Sequence, residues 1–287
     1  MLGHRLCEVL GPRFDTFASF RSSAEVAGGV FASVQAVVGV DAHEIATVEH
    51  AFRTTRPDVV INAIGVVKKL PEGNVPSLSI QINALFHHLL DQICRSSGAC
   101  LIQVSTDYVF SGDRGNYVEE DIPDPVDLYG RTKLLGEVTN SPNALTIRTS
   151  IIGRALGTPH GLVEWFFGHA GGEVEGYSHV VFSGLTTTRL GQVIADVVAT
   201  YPDLRGLWHV SSAHISKYDL LVLLDEAFAT GTRIHRDTRI RSDRSLDSNR
   251  FWAATRLPRP SSPSMIGEIR ADRTPYAEVT NVAKRSA

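Results

Sequence analysis

Tyr129 and Lys133 are the two residues whose types and spacing best suit proton-transfer chemistry. They stand four positions apart in the segment Tyr-Gly-Arg-Thr-Lys, so a helix would place both side chains on one face. A phenol has a reference pKa of about 10 and is a poor base at neutral pH, but a neighbouring ammonium favours the phenolate and lowers that pKa. The spacing predicts a tyrosine acid–base centre; the alternative is a packed tyrosine beside a surface lysine.

Two hydroxyl side chains, Ser105 and Thr106, stand where a predicted strand over 99–105 ends. Ligands of open α/β sheets bind outside the carboxyl ends of the strands. A hydroxyl at that edge could hold a substrate oxygen while Tyr129 moves the proton. Capping of an ordinary turn is the alternative use of these hydroxyls.

A loop of small residues follows the preceding strand. The run 58–64 is largely apolar and β-branched, which predicts a buried strand. Asn62, Ala63 and Gly65 stand at its end. Small side chains at a strand end leave room for a nucleotide to lie against the backbone. We therefore expect this loop at the edge of the sheet where ligands bind.

Apolar β-branched runs alternate with helical patterns along the first half of the chain. We predict strands over 14–20, 34–40, 58–64, 99–105 and 145–149, and helices over 43–53, 76–97 and 129–138. Short continuous apolar strands separated by helices indicate a parallel sheet with both faces covered. The predicted fold class is α/β, a doubly wound, Rossmann-like parallel sheet.

The second half is less regular and predicts a smaller α+β substrate domain. Helices are expected over 162–169, 187–201 and 216–229, and a strand over 206–211. We expect a dinucleotide-binding domain over 1–155 and a mainly substrate-binding domain over 156–270, in which 185–212 returns to the sheet. Residues 271–287 are charged and poor in large apolar side chains, so we expect a tail that lies loosely on the surface.

The composition is that of an ordinary globular protein, with 43% hydrophobic and 21% charged residues among 287. It excludes collagen, coiled coil and wholesale disorder. The longest uncharged stretch, 73–90, has 18 residues and includes Asn, Gln and His, whereas a membrane span needs about 20 apolar residues. Cys7, Cys94 and Cys100 match no metal-site or disulfide spacing. We expect a cytoplasmic protein with no metal site and no membrane partner.

Basic residues are concentrated between 233 and 259, where eight arginines stand against three aspartates although the whole chain has a net charge of −3. Such a run is commonly a solvated face. It could also hold a phosphorylated small molecule, since arginine binds phosphate oxygens in pairs. Nucleic acid is not an expected partner, because the run is short and the chain is acidic.

Three motifs in order resemble a known family. They are S-T-D-Y-V-F-S-G from Ser105, Y-x-E-x-D-x-P from Tyr117 and Y-G-R-T-K-L-L-G-E from Tyr129. Together they resemble the extended short-chain dehydrogenase/reductase family, and within it the dTDP-4-dehydrorhamnose reductases and related nucleotide-sugar reductases. The resemblance runs from about Gly3 to about Arg259 and so covers nearly the whole chain.

The resemblance implies an NADP(H)-dependent reductase of a nucleotide-linked 4-keto-6-deoxy sugar, in deoxysugar and polysaccharide biosynthesis. Tyr129 would donate a proton to the keto oxygen and Thr106 would orient that oxygen. Lys133 would lower the Tyr129 pKa and bind the nicotinamide ribose. The substrate-binding residues implied are Asp107, Tyr108, Lys217 and Arg244, the last two as diphosphate partners.

The cofactor-binding residues implied are Gly3, Arg21, Asp41, Asn62, Ala63, Gly65, Ser105 and Lys133. The choice of cofactor depends on Arg21, which follows the predicted strand over 14–20. An NAD enzyme usually places an acid there, and an arginine suits a 2′-phosphate. No acid appears before Glu25, so NADP(H) is favoured and NAD(H) is the other option.

The sequence departs from the family pattern in two places. The family begins with a strand and a G-x-x-G-x-x-G turn, of which only Gly3 is matched, so we expect either a start further upstream or a shortened form with weakened cofactor binding. We expect residues 1–10 to form the helix that follows this turn, with Leu2, Leu6, Val9 and Leu10 toward the sheet. Ile151 and Ile152 stand where rhamnose-forming reductases often have a tryptophan.

Two alternatives stay open. One is a UDP-N-acetylamino-sugar reductase or a sugar epimerase of the same family. The other is a non-catalytic subunit similar to the regulatory β subunit of methionine adenosyltransferase, which keeps much of the motif set. The expected partner is a small nucleotide-sugar substrate, and a homodimer is left open.

Overall fold

The computed structural model describes residues 1–23, 30–68, 71–156, 161–274 and 276. In the first half, the helices and strands are α1 (Leu2–Leu10), β1 (Phe17–Phe20), β2 (Gln35–Val38), α2 (Ile45–Thr55), β3 (Val59–Asn62), α3 (Pro76–Ile80), α4 (Phe86–Ser97), β4 (Cys100–Val104), α5 (Leu128–Leu135) and β5 (Ala144–Arg148). In the second half they are β6 (Ile151–Ile152), α6 (Leu162–Phe167), β7 (Glu173–Phe182), β8 (Leu185–Thr186), α7 (Thr187–Thr200), β9 (Gly206–His209), β10 (Ile215–Ser216), α8 (Lys217–Phe228), β11 (Arg233–Asp243), α9 (Asn249–Thr255) and α10 (Ser262–Ala271).

Four parallel strands in the order β3-β4-β5-β9 form the main sheet. Strands β1 and β2 pair in parallel as a second, two-stranded sheet. The α/β class and the parallel strands confirm the predicted fold. Among the described residues no pairing joins β1 to β3.

Helices cover both faces of the main sheet, as the apolar strands predict. On one face Leu2, Leu6 and Leu10 of α1 pack with α7 against Ile102 and Leu145, and Val9 is partly buried in the same cluster. This confirms the predicted helix at 1–10 and its apolar face. On the other face, α2 and α4 share a cluster over β4 with residues Val48, Phe86, Leu90, Cys94 and Leu101.

The helix predicted over 76–97 is one continuous run that contains a π-helical turn. The turn, Gln81–Leu85, separates α3 from α4. It carries Asn83, which is fully buried. The Asn83 amide accepts from the Val66 N–H at 2.8 Å and donates to the Val66 carbonyl at 2.9 Å. The turn therefore fixes the loop after β3 against the helix.

A three-stranded sheet has the order β10-β7-β11, with β7 and β11 parallel and β10 antiparallel to β7. Helix α8 packs on β7 around Leu220 and Leu224. Many arginines of the basic run lie on β11, where Arg233 pairs with Glu173 and Arg239 with Glu175. For these arginines a solvated face is the better interpretation. The arginines after β11 remain the candidates for binding a phosphorylated small molecule.

Residues after α10 pack against α1. The Tyr276 hydroxyl accepts from Arg5 at 2.6 Å, and Thr274 donates to Glu8 at 2.9 Å. Arg5 also forms an ion pair with Asp272. The expectation of a loose tail is therefore wrong for 271–274 and 276, because a buried arginine draws them in; residue 275 and residues 277–287 lie outside the described residues. None of the described helices is both long and apolar enough to cross a membrane.

Candidate active site

The carboxyl ends of β3 and β4 and the first turn of α5 meet at one edge of the main sheet. Thr106 follows β4 and caps a short 3₁₀ turn by accepting from the Tyr108 N–H. The Asp127 side chain caps α5 by accepting from the Gly130 N–H at 2.8 Å. That cap places Tyr129 in the first turn of α5, facing the Thr106 segment.

The Thr106 hydroxyl lies between two acidic side chains. It donates to the Asp107 carboxylate at 3.2 Å, and its proximity lowers the pKa of the Tyr129 phenol. The rings of Tyr108 and Tyr129 meet edge to face, with centroids 5.7 Å apart. The structure thus brings Thr106, Asp107, Tyr108 and Tyr129 together, as the motif spacing predicts.

Burial dominates the titration of this group. It raises the pKa of Tyr129 to about 12, helped by the negative charge of Asp107 and opposed by the Thr106 hydrogen bond. Burial also raises the pKa of Asp107 to about 6, against the Thr106 hydrogen bond and the positive charges of Arg244 and Lys217. Tyr129 is therefore a protonated phenol at neutral pH, in the form that can donate a proton.

Lys133 is buried on the same helix as Tyr129. Its ammonium donates to the Val104 carbonyl at 2.8 Å, because a fully desolvated ammonium needs an acceptor. Burial lowers the pKa of Lys133 to about 8, and Glu137 opposes this change. The expected lowering of the Tyr129 pKa by Lys133 is corrected here: burial has the larger effect and raises that pKa.

A buried ion pair between Glu137 and Arg148 lies next to the site. The Glu137 carboxylate accepts two hydrogen bonds from Arg148, each at 2.8 Å, and one from the Ser105 hydroxyl at 2.6 Å. Arg148 also reaches His209 Nε2 at 3.4 Å. Since a guanidinium can only donate, His209 accepts at Nε2 and donates from Nδ1 to the Tyr117 carbonyl at 3.0 Å.

The Glu137–Arg148 ion pair was not predicted from the sequence, although Glu137 ends the third motif and follows Lys133 by four residues. That i, i+4 spacing was the available signal. The buried Ser105 hydroxyl donates to the Glu137 carboxylate, and its assignment to the cofactor stays a prediction.

The loop after β3 fits a nucleotide. Asn62 is buried and its Nδ2 has no partner among the described residues, while its Oδ1 accepts from the Ile64 N–H at 3.0 Å. Ala63 and Gly65 are exposed beside it. A Cβ on Gly65 would lie 3.3 Å from Asn83 Oδ1, so the glycine permits the close approach. A buried amide N–H without a partner suits a polar ligand.

The other predicted cofactor residues lie at strand and helix ends. Gly3 is exposed in the first turn of α1, and a Cβ there would meet no atom within 4 Å. Arg21 is exposed just after β1. Asp41 follows β2 and accepts from the His43 N–H at 2.9 Å, so its carboxylate is partly used in a turn. Glu25 lies outside the described residues.

Arg244 and Lys217 adjoin the three-stranded sheet. Arg244 directly follows β11, and Lys217 directly follows β10. The Arg244 guanidinium lies 4.6 Å from the Tyr108 ring centroid and donates to the Phe110 carbonyl at 2.9 Å. Lys217 begins α8, and its charge acts on Asp107. The charges of two cations therefore act on Asp107, an arrangement that suits an anionic ligand. Within the described residues, no group of three His, Cys, Asp or Glu side chains is placed to hold a metal ion.

Comparison with known proteins identifies the family of this chain. The model of the RmlD substrate binding domain family matches residues 18–242. A solved dTDP-4-dehydrorhamnose reductase from Bacillus anthracis, in complex with NADP, superimposes with a TM-score of 0.74 at 20% identity and covers 89% of this chain and 99% of that one. At that identity the structural similarity shows the fold.

Curated relatives match over a shorter stretch. Methionine adenosyltransferase 2 subunit beta from Bos taurus is 34% identical over 108 residues, 37% of this chain and 32% of that protein. dTDP-4-dehydrorhamnose reductase from Streptomyces griseus is 38% identical over 99 residues, 34% of this chain and 33% of that protein. The chain thus spans about a third of the length of these relatives.

Proposed function

The chain belongs to the RmlD substrate binding domain family, and on that premise we propose that it is an NADP(H)-dependent reductase of a nucleotide-linked 4-keto-6-deoxy sugar. The observation that carries the proposal is the group of Tyr129, Thr106 and Asp107 at the carboxyl edge of the parallel sheet, where Thr106 is hydrogen-bonded to Asp107 and the Tyr129 ring packs on Tyr108. The similarity to dTDP-4-dehydrorhamnose reductases supports the substrate class. Such a reaction would serve deoxysugar and polysaccharide biosynthesis.

The residues of the site divide the work of reducing a ketone. When bound, the dihydronicotinamide supplies a hydride to the carbonyl carbon. Tyr129 is a neutral phenol at neutral pH, so it can protonate the oxygen as negative charge develops there. The Thr106 hydroxyl is placed to orient that oxygen. A phenol that is held close to the substrate oxygen can protonate it without a separate encounter with a water molecule.

The groups for the nucleotide parts lie around this centre. We assign the unpartnered Asn62 Nδ2 and the exposed Ala63–Gly65 backbone to the cofactor. Lys133 would turn from the Val104 carbonyl to the nicotinamide ribose. Arg244 and Lys217 would neutralise the diphosphate of the sugar nucleotide, since the positive charges of both act on Asp107 and Arg244 lies over the Tyr108 ring.

A second candidate function is a non-catalytic regulatory subunit. The similarity to methionine adenosyltransferase 2 subunit beta favours it, and so does the position of Lys133, whose ammonium is turned to Val104 rather than to Tyr129. In that case the nucleotide site would stabilise a protein contact instead of supporting turnover.

The deciding experiment follows NADPH absorbance in the presence of dTDP- and UDP-linked 4-keto-6-deoxy sugars. We expect oxidation with at least one of them, with the dTDP sugar preferred. No oxidation with either substrate, together with calorimetric binding to a methionine adenosyltransferase catalytic subunit, would establish the regulatory candidate. A preference for the UDP sugar would favour the UDP-sugar reductase alternative.

Arg21 is expected to select NADP(H) over NAD(H). If it meets the 2′-phosphate, Arg21→Asp should shift the preference toward NADH by about 1–3 kcal/mol, the size of a charged hydrogen bond. Fluorescence titration of both cofactors measures the ratio. Arg53→Asp on the exposed side of α2 is the control and should leave the ratio unchanged. An equal ratio in wild type and Arg21→Asp would show that Arg21 does not contact the 2′-phosphate.

A further inference from the structure

Helix α5, which carries Tyr129, lies in close contact with the backbone of the segment after β4. A Cβ at Gly130, in the first turn of α5, would collide with the Tyr108 carbonyl oxygen and lie 3.1 Å from the Tyr108 carbonyl carbon. It would also come within 3.0 Å of Pro125 Cβ. Backbone atoms cannot turn away as the end of a flexible side chain could, so only a glycine at 130 permits this approach.

The far end of α5 is held as closely as its first turn. Gly136 follows the helix, and a Cβ there would collide with the Asn83 carbonyl oxygen in the π turn and lie 2.9 Å from Ala84 Cα. The Gly136 carbonyl accepts from Nε2 of the fully buried Gln103 at 2.6 Å. Because this end is fixed, α5 cannot slide to make room for a Cβ at Gly130, and its first turn would have to tilt outward.

The backbone conformation does not require glycine at either position. Neither Gly130 nor Gly136 has a positive φ, and Gly136 has φ −86° and ψ 1°, so an alanine could adopt the same backbone. Glycine is also a poorer helix former than alanine. The close approach of α5 to its neighbours is therefore the feature that requires glycine at Gly130.

This approach determines where the Tyr129 side chain lies. Tyr129 immediately precedes Gly130, and its ring meets the Tyr108 ring edge to face, with centroids 5.7 Å apart and ring planes at 73°. The Asp127 carboxylate fixes the same turn of α5 by accepting from the Gly130 N–H at 2.8 Å. Tilting the first turn outward would therefore carry the Tyr129 phenol away from the 3₁₀ turn after β4, Asp107–Val109.

We propose that Gly130 and Asp127 are positioning residues of the reduction, which together hold the Tyr129 phenol against the 3₁₀ turn after β4; this inference rests on the proposed function. Both act through α5 and not on the substrate. A displacement of about 1 Å at the reacting groups can lower a rate about 10²-fold. Since a tilt about the fixed end at Gly136 moves Tyr129 more than Lys133, it should lower the turnover number more than the affinity for NADPH.

The kinetic test compares glycine-to-alanine variants in different surroundings. Gly130→Ala should lower the turnover number about 10²-fold and leave the NADPH dissociation constant nearly unchanged. Gly11→Ala, next to the amino ends of β1 and β2, is the matched control, because its Cβ would also collide with a backbone carbonyl oxygen, that of Ser33. It should lower Tm and keep the turnover number. Gly267→Ala in α10 meets no atom within 4 Å and should keep both. Equal turnover in Gly130→Ala and Gly11→Ala would overturn the proposal.

Asp127 supplies a second kinetic test that involves no collision. Asp127→Ala removes the cap on the first turn of α5 and should lower the turnover number, as Gly130→Ala does. Asp127→Asn should restore it, because asparagine caps helices as well as aspartate. If Gly130→Ala fails to fold, this pair of variants decides the kinetic test, and a turnover number in Asp127→Ala equal to that of wild type would overturn the proposal.

A measurement without turnover separates this inference from the proposed function. In protein labelled only at its seven tyrosines, the Tyr108 and Tyr129 rings should give an NOE cross-peak, identified by its loss in Tyr129→Phe. The cross-peak should persist in Gly11→Ala and weaken or vanish in Gly130→Ala and Asp127→Ala. If wild type reduces no keto sugar, the proposed function fails and the cross-peak alone decides how Tyr129 is positioned. A cross-peak of wild-type intensity in both Gly130→Ala and Asp127→Ala would refute the proposal.

Discussion

Replacing Tyr129 with phenylalanine is expected to lower the turnover number for keto-sugar reduction by about 10²–10⁴-fold. The variant keeps the ring that packs edge to face on Tyr108 and loses only the phenolic hydroxyl. NADPH affinity should be nearly unchanged, because the loss falls on the transition state. Steady-state kinetics and fluorescence titration of NADPH measure the two quantities.

Tyr177→Phe on β7 is the matched control, since it removes a phenolic hydroxyl away from the catalytic edge. Lys133→Met should lose more activity than Tyr129→Phe, because it removes both a buried charge and the group assigned to the ribose. Undiminished turnover in Tyr129→Phe would refute the assigned chemistry. For a regulatory subunit, neither variant would change affinity for the partner enzyme.

The second large effect concerns stability. Glu137→Gln should lower the free energy of unfolding by about 3–5 kcal/mol, because it leaves the Arg148 guanidinium buried without its counter-charge. Both side chains are at most 4% exposed, so solvent cannot compensate. Urea unfolding at pH 7, followed by circular dichroism, measures the change.

An exposed ion pair supplies the comparison. Glu173→Gln removes the partner of Arg233, where both side chains are more than half exposed, and should leave the unfolding midpoint nearly unchanged. The double variant Glu137→Gln/Arg148→Met should recover part of the loss, since it removes the orphaned charge as well. A change below about 1 kcal/mol for Glu137→Gln would show that water reaches the Arg148 guanidinium.

Local patterns were enough to predict the first half of the fold. The helix over 76–97, the strand before Thr106 and the helix that carries Tyr129 all follow from hydrophobic periodicity and end signals. The π turn around Asn83 could not be predicted, because its cause is a tertiary contact with the Val66 backbone. Periodicity records which side of a helix is apolar and carries no information about such a contact.

The position of Lys133 shows a second limit of the sequence. Its spacing from Tyr129 places both on one helix, but the ammonium binds the acceptor that burial leaves closest, the Val104 carbonyl. Strand β11 shows a third limit. Its alternating Arg233 and His235 find their complement in Glu173 of β7, about 60 positions earlier in the sequence. A charge run and its distant partners cannot be matched without the fold.

The division of the parallel strands into two sheets has a consequence for handling the protein. Among the described residues, β1 pairs only with β2 and β3 only with β4, so each sheet presents a row of unpaired peptide groups. Phe17 on β1 and Val38 on β2 are also exposed apolar side chains. Such edges are templates for strands of other molecules. Concentrated solutions are therefore expected to aggregate, and low protein concentrations are the sensible starting point for purification.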